Sequence, residues 1–148
     1  MTALADLTAF DGTLYFTATD GSSGLELYKS DGTESGTTIV QDINSGSEGS
    51  DPGSGDGTQW VAVDGYLYFA AYSDTSGIEL WRTDGSTAEM VKDIAPGSDS
   101  SSPEFLAAYE GELYFSASSG SDGDTELWKT DGTEGGTKEV KEIGRAHV

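Results

Sequence analysis

Three stretches of the chain set an acid, an aromatic ring and a second acid at one fixed spacing: ELYKSDGT from Glu26, ELWRTDGS from Glu79 and ELWKTDGT from Glu126. Tyr28, Trp81 and Trp128 are therefore candidate ligand platforms, because phenol and indole faces stack on sugar rings and apolar ligands. A large ring repeated beside a leucine serves equally to fill the gap between packed sheets, which is the commoner use of buried aromatics. Asp122, Asp124 and Glu126 alternate along one loop, and oxygen ligands of that kind suit a hard cation. Calcium is the one cofactor the residues suggest. The other positions of an EF-hand loop and the glycine-rich period of calcium-binding β-helices are both missing. The pairs Asp31 and Gly32, Asp84 and Gly85, Asp131 and Gly132 have a turn explanation that needs no ligand. An aspartate bonds its own backbone two residues on, and the glycine accepts positive φ.

Catalytic chemistry finds little to work with. The single histidine is His147, there is no cysteine, and so neither a Ser, His and Asp arrangement nor a zinc ligand set can be assembled. The 27 acids always offer carboxylate pairs somewhere, but nothing singles out one pair for glycoside cleavage. An active site is one constellation, and a threefold pattern argues for a repeated structural part. The expectation is a protein that is not an enzyme.

Composition narrows the partners. With 7 basic and 27 acidic residues the formal charge is −20, which repels the phosphate backbone and anionic lipid alike. Neither nucleic acid nor a membrane is expected as a partner. The opening MTALADLTAF lacks a basic region followed by an apolar run, so no signal peptide is read there. The longest apolar run, Tyr66 to Tyr72, has the length of a strand, well short of the roughly 18 residues of a membrane span.

The elements that must carry these residues follow from the repeat. The anchor LYF recurs at Leu14, Leu67 and Leu113, each time preceded by an apolar tetrad and a two-residue turn. Those turns are Asp11 and Gly12, Asp64 and Gly65, and Glu110 and Gly111. An Asp and Gly pair between apolar runs is the strongest short hairpin signal. Each unit then reads as a four-stranded antiparallel meander. The strands are the tetrad, the LYF segment, the segment around Leu27, Leu80 or Leu127, and a last one holding Val40, Val91 or Val140. The units run over about 7–52, 60–103 and 106–143 within a single domain of residues 1–148, with 144–148 as a non-repeat tail. Ser- and Gly-rich linkers with Pro52 and Pro103 mark the boundaries. Leu67 and Phe69 point to one face of their strand, Tyr68 and Ala70 to the other, and both faces are apolar. Such strands are covered on both sides, as in the blades of a β-propeller. A β-trefoil, which also has three units of four strands, is the alternative.

ELYKSDGT, ELWRTDGS and ELWKTDGT, with DIAPGSDSSSP and the hairpins before LYF, resemble the bacterial ELWxxDGT repeat proteins over roughly Leu7 to Ile143. The departures are Tyr28 for tryptophan, Ser86 for threonine, and a second copy lacking the GT after its turn. The resemblance implies an all-β, propeller-like fold in an extracellular or surface-attached bacterial protein, and it brings no catalytic residues. The function expected is a non-catalytic module for scaffolding, adhesion or protein interaction. The alternative is a lectin-like propeller binding glycan at one aromatic site per copy. Closed propellers have about four to eight blades. Three units therefore imply either a dimer completing a six-bladed ring or a fragment of a longer array, with a glycan or a surface protein as the outside partner.

Overall fold

The computed structural model describes residues 4–54, 59–120 and 124–141. Asp122, Glu142, Ile143, His147 and the tail lie outside those residues. Four strands make the first sheet: β1 (Leu4–Phe10), β2 (Thr13–Ala18), β3 (Glu26–Ser30) and β4 (Thr38–Gln41). The second holds β5 (Val61–Val63), β6 (Tyr66–Ser73), β7 (Gly77–Thr83) and β8 (Ala88–Lys92). The third holds β9 (Glu104–Tyr109), β10 (Glu112–Ala117), β11 (Glu126–Thr130) and β12 (Lys138–Lys141). In each sheet sequence neighbours pair antiparallel, so the three four-stranded meanders expected from the repeat are present. Among the described residues strand pairing does not cross from one sheet to another. A trefoil barrel, which needs strands of different units to pair, is thus not formed by the described residues.

Local chemistry explains the hairpins. Asp11 and Gly12 have φ of 49° and 75°, Asp64 and Gly65 50° and 83°, and Glu110 and Gly111 53° and 78°. Positive φ at both central residues is the type I' requirement, matching the twist of the flanking strands. Glu110 adopts it although glutamate is not an expected residue there, so the glycine and the strand pairing carry the turn.

The core lies between sheets. Leu67, Phe69 and Ala71 of β6 form one buried cluster with Tyr15 of β2 and Leu27 of β3. From the opposite face of the second sheet, Tyr68 and Leu80 join Leu106, Leu113, Phe115 and Trp128 of the third in another. The middle sheet is therefore covered on both sides, as its two-sided apolar pattern predicts. Each outer sheet is covered on one side by its neighbour.

Candidate functional site: turns, buried glutamates and aromatic rings at the sheet joints

The DGT turns are held by their own side chains. Asp131 Oδ1 accepts from the Thr133 amide at 2.9 Å and the Thr133 hydroxyl at 2.6 Å, while Thr130 Oγ1 accepts from the Gly132 amide at 2.9 Å. Asp31, Thr33 and Ser30 repeat the arrangement in the first unit. The shorter second turn has Asp84 accepting from the Ser86 and Thr87 amides instead. The Thr133 hydroxyl and amide hold the Asp131 carboxyl below its usual range, and Thr33 does the same for Asp31. For Asp84 the Ser86 amide is the main cause. These acids already have partners in the loop, so the turn reading is the one the geometry supports. Gly136 packs against the Asp131 carboxylate so closely that a Cβ there would overlap it. Gly136→Ala should displace Asp131 from Thr133 and lower the melting temperature by about 3–6 °C, read by thermal unfolding. An unchanged melting temperature would show that the loop tolerates losing those bonds.

The acid that opens each ELW segment has a role hidden from the sequence. Charges three apart on a strand, such as Glu79 and Arg82, read as solvated rims of the kind worth about 0–1 kcal/mol; the glutamates are instead buried. Glu26 accepts hydrogen bonds from the Ile43 amide at 3.0 Å, the Asn44 amide at 3.1 Å and the Ser50 hydroxyl. Glu79 takes the same three donors one unit later: Ile94 N at 3.1 Å, Ala95 N at 3.0 Å and the Ser101 hydroxyl. Each linker is thus folded back over the strand that carries the glutamate, β3 or β7. The amides of Ser50 and Asp51 bond Leu25 O at 2.9 and 3.0 Å, and those of Ser101 and Ser102 bond Ile78 O at 3.0 and 3.2 Å. The other side of each linker holds the next unit: Tyr72 N donates to Ser50 O at 2.8 Å, and Ser118 N to Ser101 O at 2.9 Å. A buried carboxylate with three donors fixes the path of the chain from sheet to sheet. Burial pushes the Glu79 carboxyl up to about 7, against the lowering effect of its three donors, and raises Glu26 in the same direction. The signal available in the sequence was the recurrence of one acid beside Leu and an aromatic ring, upstream of an Ile and a Ser at matching positions in both linkers.

The three aromatic candidates lie at the joints as well. Trp128 is buried in the cluster between the second and third sheets, and Trp81 packs against the cluster between the first and second. Tyr28, on the uncovered face of the first sheet, stacks on Phe16 with centroids 5.9 Å apart. The indole N–H groups of Trp81 and Trp128 make no hydrogen bond with the described residues, so it is ring area that these positions use. A cleft of about 400 Å³ beside the second linker is lined by Asp99, Ser100, Ser101, Ser102, Glu104 and Ser118, among others, and by none of the three aromatics.

The basic residues also reach across the joints. Lys29 Nζ donates to Gly85 O at 2.7 Å, and Lys92 Nζ to Thr137 O at 3.2 Å. Arg82 pairs with Glu89 at 2.8 Å and lies 3.7 Å above the Tyr66 ring. Of the three candidate metal ligands, Asp122 lies outside the described residues, Asp124 is partly exposed in the loop, and Glu126 is buried at the start of β11. Among the described residues no three acids or histidines converge on a point fit for a metal ion. Among the described residues no helix is long and apolar enough to cross a membrane. Comparison of the chain with protein-family models, with curated proteins and with solved structures gives no match in any of the three.

Proposed function

We propose that the chain is a non-catalytic scaffold of stacked β-sheets, a module of an extracellular or surface-attached bacterial protein, with its sheets arranged as propeller blades. One observation carries the reading. The tryptophans that would serve as ligand platforms, Trp81 and Trp128, are packed into the seams between sheets, and Glu26 and Glu79, the acids that open the first two ELW-type segments, tie down the two linkers. Residues repeated for chemistry would face a cavity, whereas these two rings face the preceding unit.

The charge of −20 supports solubility in a crowded or saline exterior and disfavours nucleic acid. A glycan array together with a thermal melt in chelator and in millimolar calcium tests the proposal. The expected outcome is no glycan retained and the same melting temperature in both buffers. Glycan binding abolished by Tyr28→Ala with the fold intact would establish the lectin reading. A calcium-dependent rise in melting temperature would make the acidic loop a metal site.

A further inference from the structure

The two joints inside the chain are built alike, and the two outermost faces carry the unmatched halves of a third. On the outgoing face of each joint stand the LYF tyrosine, the leucine of ELW and the basic residue after it. Tyr15 is buried and Leu27 is 0% exposed, with Lys29 on the carbonyl of Gly85. Tyr68 is buried and Leu80 is 0% exposed, and both the Tyr68 hydroxyl and the Arg82 guanidinium crowd Gly132. In the third sheet the same positions are Tyr114, Leu127 and Lys129, and all three are only half-buried.

The incoming face shows the converse. Its LYF leucine is 1% exposed at Leu67 and 0% at Leu113, where a preceding sheet covers it, but 36% at Leu14. The turn glycine that receives the tyrosine and the cation is filled at Gly85 and Gly132. At Gly32 a Cβ would meet nothing within 4 Å. Further apolar side chains accompany each open half: Ile39 on the first sheet, across from Tyr28, and Tyr109 on the third, stacked edge-on against Tyr114 at 5.6 Å. The position of Tyr109 in the first unit is held by Phe10, which packs into a joint.

Charge matches the shapes. Lys129, which lies 3.5 Å from Glu112 on the same face, shares the outer face of the third sheet with Lys138 and Lys141, three of the seven basic residues of a chain carrying −20. The open turn of the first sheet holds Asp31 and Glu34.

We propose that the outer face of the third sheet docks head to tail on the outer face of the first sheet of a second copy of this chain. Tyr114 and Lys129 then enter the open turn at Gly32, reproducing the contacts made at Gly85 and Gly132. The occupant is a second copy because the socket and the plug are both parts of this one polypeptide. Two such contacts related by a two-fold axis close a pair of chains, whereas a rotation that does not close continues as an open stack. The inference rests on the stacked-sheet reading above. That reading is tested separately by glycan and calcium binding, so either can fail alone.

The experiment is analytical ultracentrifugation of the full chain at about 0.15 M salt, where long-range repulsion is screened. Wild type should self-associate. Leu14→Asp, which blocks the socket, and Tyr109→Asp, which blocks the plug, should each raise the dissociation constant by about 100-fold, with unchanged circular dichroism. An equimolar mixture of the two variants should associate again, because one intact plug then meets one intact socket. A wild type that stays monomeric, a variant that associates like wild type, or a mixture that stays monomeric each overturns the proposal. Should Leu14→Asp or Tyr109→Asp fail to fold, Ile39→Asp and Lys129→Glu replace them on the same two faces.

Discussion

Trp128→Ala is expected to destabilise the fold by about 3–5 kcal/mol, the usual cost of emptying a large aromatic site. A domain of this size is stable by only about 5–15 kcal/mol in all, so the variant should melt far below wild type or fail to fold. The reason is position. Trp128 is 9% exposed and packs with Tyr68, Leu80 and Val91 of the preceding sheet, so its removal opens a cavity in the seam itself. Tyr28→Ala is the internal control, since its ring lies on an uncovered face against Phe16 and loses less contact. Urea denaturation of both variants measures the difference. Equal and small losses would mean that the tryptophan is not holding two sheets together.

Glu79→Leu should cost about as much, for an electrostatic reason. The leucine fills the space but leaves the amides of Ile94 and Ala95 buried without an acceptor, and the Ser101 hydroxyl with only its long bond to Ile78 O at 3.4 Å. Each unsatisfied group costs about 1–3 kcal/mol. Because those donors sit on the linker, the second and third sheets should also lose their fixed relation, which limited proteolysis near Pro96 would detect.

The carboxyl of Glu79 gives the same residue a pH signature. Its folded value, about 7, lies above the ordinary 4.5, chiefly because of burial. Between those two values the folded chain holds a proton that the unfolded chain has released. Stability from this group is therefore complete below about pH 4.5, falls as pH rises through the window, and is level above about 7. The protonated form is accommodated, since Glu79 can donate to Ser101 Oγ while that hydroxyl turns to Ile78 O at 3.4 Å. Glu79→Gln should flatten the fall between pH 4.5 and 7. General repulsion among the acids has the same sign and persists in the variant, so the difference between the two profiles is the quantity to measure. Identical slopes would remove Glu79 as their source.

The repeat, the four strands of each unit and the hairpin turns were all legible from residues that act on near neighbours. Asp11 and Gly12 set a backbone conformation, Asp31 and Thr33 satisfy one another within a loop, and alternation along Leu67 to Ala70 states how many faces must be covered. Such features depend on a few bonds along the chain, so a string of letters suffices to find them. The site was less legible. Tyr28, Trp81 and Trp128 hold equivalent positions in the sequence, yet they divide into one ring on an open face and two in seams, because only packing tells which sheet has a neighbour.

Glu26 and Glu79 were less legible still. On a strand read alone they look like solvated partners for a lysine or arginine. Their donors come from residues 15 to 24 positions away, brought overhead by the returning linker. Periodicity along the strand says which way a side chain leaves the backbone. What it meets there, whether water or the next turn of chain, is settled by the tertiary structure, because burial and hydrogen bonding are properties of distant segments that come together in space.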